Sequence, residues 1–209
     1  MKDLLLEYKK RRSAIKKRLK EFAGIYHMTD SDVFAELVFC IFTPQSKALS
    51  CDAAVKNLKS KGLLFNAAAQ EISRNISGVR FHNNKAGYLV NARNIFTNSK
   101  GIDIKSKIDK KDIFSTREWF VKNIKGIGYK EASHFLRNIG FGEDLAILDV
   151  HILRNLVECK VIKELPKTIS GKVYMDIESK MRKFSEEIDI PMDELDLLFW
   201  AKQTGYIFK

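Results

Sequence analysis

The sequence predicts an almost wholly helical protein. Three observations carry this: apolar residues recur at intervals of three and four more often than two, only 3 prolines and 11 glycines occur in 209 residues, and no convincing strand pair can be found. A first helix is expected over residues 2–22, and its eight Lys or Arg between positions 9 and 20 make a face turned either to solvent or to a polyanion. Asp30 or Ser31 can cap the next helix. Its Val33, Phe34, Leu37, Val38, Ile41 and Phe42 form a broad apolar stripe that ends before Pro44, so it should lie at the centre of the core. Further helices are expected at about 46–60, 67–75, 83–98 and 116–123, with Gly62, Gly78 and Gly101 among the breaks. After Gly140-Phe141-Gly142 and the apolar Leu145–Leu148 come helices at about 150–160, 171–187 and 192–203, with Pro191 placed to start the last.

A 45% hydrophobic chain of this length can bury a sizeable core, in one domain or two modest ones. Lys plus Arg number 37 against 26 Asp plus Glu, a net charge of +11 with a pI near 9.5, and such an excess favours a polyanionic partner. Cys40, Cys51 and Cys159 are spaced by 11 and 108 residues, which fits neither a zinc knuckle nor a four-cysteine iron-sulfur loop. They read as buried free thiols in a reducing cell. The first residues do not form a basic-then-apolar leader, and no apolar run reaches the ~18 residues of a membrane span. A soluble intracellular protein of the cytoplasm or nucleoid is expected, without membrane contact.

Val121–Ile139 is the most informative stretch. A helix ends, Gly126-Ile127-Gly128 turns the chain, and a second helix begins near Tyr129. The two glycines permit positive φ and bring unshielded backbone N–H groups to that helix start, a place that attracts phosphate. An ordinary αα-hairpin turn explains the glycines equally well. The company of the turn favours a ligand: Lys122, Lys125 and Lys130 flank it, and Asp149 follows Lys130 by 19 residues.

Ile124-Lys125-Gly126-Ile127-Gly128-Tyr129-Lys130-Glu131-Ala132, followed by Leu148-Asp149-Val150-His151-Ile152-Leu153-Arg154, resembles the helix-hairpin-helix DNA glycosylases related to endonuclease III. Lys125 stands where that family commonly has Pro. Upstream, Ile41-Phe42-Thr43-Pro44-Gln45-Ser46 and Asn83-Asn84-Lys85-Ala86 resemble two further family segments, so the likeness runs in register from about residue 30 to 155. The chain lacks the C-terminal iron-sulfur cysteines of many relatives and ends at Gly205-Tyr206-Ile207-Phe208-Lys209. In size and ending it is similar to the compact archaeal-type 8-oxoguanine DNA glycosylase/lyases.

The resemblance implies an all-α fold of two lobes, residues 30–141 with the hairpin (about 116–139) and residues 1–29 plus 142–209, with DNA across the cleft between them. It implies a bifunctional base-excision repair enzyme that removes 8-oxoguanine from duplex DNA and then cleaves the strand. Lys130 would be the nucleophile at C1′, where its bland role is a solvated helix lysine or phosphate clamp. The reaction needs a neutral amine, and a helix start with Lys122 and Lys125 nearby disfavours added positive charge. Asp149 precedes a helix and can be an N-cap; the resemblance adds stabilisation of the sugar cation. His151, otherwise a packed or surface histidine, would contact a backbone phosphate, as would Lys125, Gly126 and Gly128 of the hairpin.

A flipped base needs aromatic or apolar plates and polar groups at its edge. His134 lies one helical turn after Lys130 and could stack on the base. Phe184 and Trp200 lie near the C-terminus. Core packing is the stronger reading for Phe184, and Trp200 is open between plate and core. By resemblance, Lys209 with its carboxylate would help to recognise the base. Gln45, with Arg80 and Phe81 beside the Lys85 segment, would fill the space a flipped nucleotide leaves, or else merely pack or cap, and by resemblance Lys85 would contact the DNA from the surface. No organic cofactor is required, no iron-sulfur cluster is expected, and a structural Na+ or K+ could sit on the main-chain carbonyls of Lys122, Ile124 and Ile127. A monomer is expected. Two rivals stay open: a same-superfamily glycosylase for another lesion, and a non-catalytic DNA-binding module.

Overall fold

The structure, a computed structural model, describes residues 2–209. Eleven α-helices dominate these residues: α1 (Lys2–Tyr26), α2 (Asp30–Phe42), α3 (Ala48–Ser60), α4 (Leu63–Asn66), α5 (Ala69–Asn75), α6 (His82–Phe96), α7 (Ile113–Asn123), α8 (Tyr129–Asn138), α9 (Val150–Glu158), α10 (Gly171–Glu187) and α11 (Met192–Thr204). The all-α expectation holds, with one correction: Thr97–Asn98 (β1) pairs antiparallel with Gly101–Ile102 (β2). Two residues per strand are too few to show an alternating apolar pattern, which is why the sequence hid them. The helix expected at 67–75 starts two residues late, as α5 at Ala69, because Ala67 and Ala68 are extended, and a separate short helix, α4, precedes it.

The chain divides into two compact units, His27–Phe135 and Met1–Tyr26 with Leu136–Lys209. The second division falls inside α8, where the sequence reading had placed it at 141/142.

In the unit of His27–Phe135, α2 is the central element, and every residue from Val33 to Phe42 is buried. An aromatic cluster packs around it. Phe96 lies 6.1 Å from Phe34 and 6.0 Å from Phe120, and Phe120 lies 4.9 Å from Phe135. Such rings supply large buried apolar area and edge-to-face contacts. The cap of α2 is Thr29 rather than Asp30 or Ser31. Its hydroxyl accepts from the Asp32 N–H while the Asp32 carboxylate accepts from the Thr29 N–H, a capping box, and Lys59 donates to the same carboxylate. Thr29→Ala should cost about 1 kcal/mol of stability, read as a lowered urea midpoint. Lys59 and Thr29 hold the Asp32 carboxyl below its ordinary value. A lowered folded value means that this contribution is complete at neutral pH and is lost on acidification below the usual carboxylate range.

In the unit of Met1–Tyr26 with Leu136–Lys209, α11 is the most enclosed helix, with Leu195, Leu197, Leu198 and Phe199 buried. It meets α1, α9 and α10. Two of its buried acids are paired. Tyr8 donates to Glu194 at 2.7 Å, and Asp196 lies 3.6 Å from the buried Arg137. Arg137 in turn stacks on Phe22, 4.9 Å from the ring centroid. Among the described residues no helix is long and apolar enough to cross a membrane.

Candidate active site

The hairpin forms as its residues dictate. Helix α7 ends when Ile124 turns extended, Ile124 and Ile127 plug the turn from below, and Gly126 takes φ +86°. Only glycine adopts that conformation without strain, and a Cβ there would lie 2.3 Å from the Tyr88 ring. Gly126→Ala should therefore destabilise the protein by about 2 kcal/mol or more, and thermal melts compared with Gly87→Ala, where the space is open, would show it. Gly128 is different. Its φ is not positive, and its N–H donates to Glu131 Oε2 at 3.2 Å. Both glycines permit positive φ and are expected to bring unshielded N–H groups to the helix start; in the structure only Gly126 uses that freedom, and the Gly128 donor is engaged by a carboxylate that caps α8.

Lys130 sits in the first turn of α8 with its side chain 25% exposed, and its Nζ lies 3.0 Å from Glu131 Oε1. Residues at i and i+1 rarely face each other on a helix; here one carboxylate bridges the turn N–H and the amine. Glu131, not Lys122 or Lys125, is thus the immediate charged neighbour of the amine. Two features steady α8. Arg117, 1% exposed in α7, donates to Ser133 at 3.1 Å, and its guanidinium lies 5.5 Å from the Tyr129 ring centroid. Lys125 is exposed, 5.8 Å from the Tyr88 ring centroid.

Asp149 is the N-cap of α9. Its Oδ1 accepts from the N–H of both His151 and Ile152 at 2.8 Å, so capping uses one oxygen and Oδ2 has no hydrogen-bond partner among the described residues. The approach to it is pinned. Ala146 N–H donates to the buried Glu178 at 2.8 Å, and Tyr174 donates to the Ala146 carbonyl at 2.6 Å. His151 is half-buried, and its Nδ1 is buried without a hydrogen-bond partner.

The remaining expected residues divide. Gln45 and Phe81 are exposed, and Arg80 stacks on Phe81, 5.4 Å from its centroid. Lys85, read as a DNA contact, is buried at 4% exposure and donates to the Phe42 and Pro44 carbonyls and to Ser46. A lysine in a polar segment reads as surface; its three acceptors, more than 35 residues upstream, do not show in a local pattern. His134 is likewise buried, edge-on to Phe39 at 5.6 Å, and offers almost no ring face to solvent. Phe184 is buried in α10. Trp200 is half-exposed and packs edge-on against Tyr206 at 5.2 Å, on the run that leads through Phe208 to a half-exposed Lys209. No group of three or more His, Cys, Asp or Glu among the described residues could hold a metal ion.

A family profile described as 8-oxoguanine DNA glycosylase matches residues 15–190. The chain belongs to the 8-oxoguanine DNA glycosylase family. Among curated relatives, the 8-oxoguanine DNA glycosylase/AP lyase of Fusobacterium nucleatum is 52% identical over 97% of this chain and 94% of its own length. That of Methanocaldococcus jannaschii is 40% identical over 93% and 91%. Among solved structures, the 8-oxoguanine DNA glycosylase of Thermotoga maritima has a TM-score of 0.88 at 34% identity, covering 100% of this chain and 97% of its own. The Methanocaldococcus jannaschii glycosylase/lyase in complex with 15mer DNA containing 8-oxoguanine has a TM-score of 0.86 at 36% identity, with full coverage of both chains.

Within this family member, sequence reasoning missed four supporting residues. Arg117 and Glu178 have no signature beyond being charged residues on amphipathic helices, whereas Glu131 has the spacing of a cap, three residues after Gly128. Arg18 was one cation in a basic run. In the structure it donates to the Phe208 carbonyl at 2.7 Å and stacks on Phe22 at 4.6 Å.

Proposed function

We propose that this protein is a bifunctional 8-oxoguanine DNA glycosylase and AP lyase that acts on duplex DNA. The observation that carries the reading is the placement of Lys130: a partly exposed amine in the first turn of a helix, directly after the tight turn at Gly126. The neutral Nζ attacks C1′ of the damaged nucleotide. The C1′–N9 bond breaks and its electron pair leaves with the base, which takes up a proton. The ring opens at O4′ to leave a Schiff base between Nζ and C1′. That iminium acidifies the 2′ hydrogen, so loss of the 2′ proton expels the 3′ phosphate by β-elimination. Water then hydrolyses the imine and regenerates the amine. Asp149, with Oδ2 uncommitted to capping, supports the positive charge that develops on the sugar. Glu131 holds the amine before attack.

DNA is gripped by the hairpin through Lys125 and the Gly126 backbone, and the half-buried His151, in the first turn of α9, meets a phosphate. A monovalent cation suits the hairpin. Lys122 lies in the last turn of α7, where helix carbonyls are electron-rich, and the Ile124 carbonyl accepts only the Ile127 N–H at 3.2 Å, keeping a lone pair. With Ile127, these carbonyls would hold Na+ or K+ and so add positive charge near a phosphate. The protein works as a monomer inside the cell.

Lesion recognition falls to Trp200 and Lys209 on the C-terminal run. Arg18 positions that run, so Arg18→Ala should reduce the preference for 8-oxoguanine over guanine about three- to tenfold, measured by single-turnover excision, with a smaller change in duplex affinity. The reading as a whole is tested by borohydride trapping on duplexes that each carry one lesion. An adduct strongest with 8-oxoguanine is expected. An adduct strongest with an oxidised pyrimidine would move the substrate to that class, and no adduct with any lesion would leave a DNA-binding module.

A further inference from the structure

The buried lysine that was expected on the surface joins two loops, each of which carries an exposed side chain on a left-handed backbone. Lys85 directs its three ammonium hydrogens to the Phe42 carbonyl at 2.7 Å, the Pro44 carbonyl at 2.7 Å and Ser46 Oγ at 3.0 Å. This is the full donor capacity of an ammonium, and the Phe42 carbonyl belongs to the electron-rich C-terminal turn of α2. Ser46 Oγ also accepts from the Arg80 N–H at 3.0 Å. One hydroxyl therefore ties the loop of Gln45 to the loop of Arg80 and Phe81. Ser73 secures the far side of the second loop, donating to Asn83 at 2.6 Å and lying 2.7 Å from His82 Nδ1.

Gln45 has φ 55° and Phe81 has φ 57°. Neither is glycine, and such conformations persist only where the surroundings over-determine them. Both side chains face solvent nonetheless, Phe81 at 53% exposure. An exposed aromatic ring and an exposed amide on strained, buried-lysine-fastened loops have no packing purpose in the unit itself.

We propose that Lys85 and Ser46 are positioning residues that fasten Gln45 and Phe81, the side chains the family resemblance assigns to the space left by a flipped nucleotide, into one pre-set probe. The inference rests on the duplex-DNA reading above. Phe81 offers a face for stacking and Gln45 an amide for the edges of the remaining base, so both must arrive together in fixed orientation. Neither Lys85 nor Ser46 touches the substrate.

The test uses the full-length protein and an 8-oxoguanine duplex with 2-aminopurine beside the lesion, whose fluorescence rises on unstacking whether or not chemistry follows. The wild-type protein should brighten the probe. Ser46→Ala should bind the duplex within about threefold of wild type yet unstack it about tenfold more slowly, and Ser46→Thr, which keeps the hydroxyl, should restore the rate. Excision from a bubble, in which mismatches flank the lesion and the stack is already open, should change little in Ser46→Ala. A merely structural defect would slow bubble and duplex excision equally and overturn the proposal. So would equal unstacking by Ser46→Ala and wild type. Should Lys85→Met fail to fold, Ser46→Ala and Ser46→Thr still decide. A wild-type protein that unstacks the duplex but excises no lesion would sink the enzymatic reading and leave the probe standing.

Discussion

Lys130→Gln is expected to bind the lesion duplex normally and to give no covalent complex on borohydride reduction. Glutamine keeps most of the side-chain length but has no nucleophilic lone pair on nitrogen, so the Schiff base cannot form. Turnover should fall by on the order of 10³-fold or more, as expected when a nucleophile is removed. Stability should barely move. The ion pair lost is partly exposed, 25% and 13% for the two side chains, and such a pair is worth about 1 kcal/mol at most. The cap that Glu131 provides to Gly128 remains. A trapped adduct in the variant would transfer the nucleophile to another amine. Collapse of the fold would instead show that Lys130 is held for structure.

Asp149→Asn separates charge from capping within one residue. Asparagine caps a helix about as well as aspartate, so the two hydrogen bonds to His151 and Ile152 survive and the melting temperature should be unchanged. What disappears is the negative charge, and turnover should fall by about 10²- to 10³-fold, the range seen when one electrostatic contributor to a transition state is removed. Asp149→Ala completes the comparison. It should lose the same activity and about 1 kcal/mol of stability besides. If Asp149→Asn keeps wild-type turnover, the carboxylate serves α9 alone.

The helices were legible because their signals are local. The stripe of α2 and the Gly126 turn each lie within a short window, and their positions were read to within a few residues. Lys130 and Asp149 were legible only as a pair at a fixed interval on two helix starts. What stayed hidden depends on long-range contact. Lys85 and a surface lysine are indistinguishable until the carbonyls of Phe42 and Pro44 are brought to it. Arg18 gives no sign of its bond to Phe208, 190 residues away. Glu131 could have been suspected. A carboxylate three residues after Gly128 is the spacing of a capping interaction, and it would have warned that the phosphate grip shares its helix start with a fixed negative charge.

Lys85 also supplies a clock. Acylating reagents need an accessible, neutral amine, and while Lys9, Lys10, Lys56 and Lys122 lie open on the surface, Lys85 is enclosed and triply bonded. Its modification must wait for the Thr43–Ser46 segment to detach from α6. The rate at which this one amine is acetylated, followed by mass spectrometry beside its fast-reacting neighbours, would therefore measure how often that segment opens, with and without DNA bound.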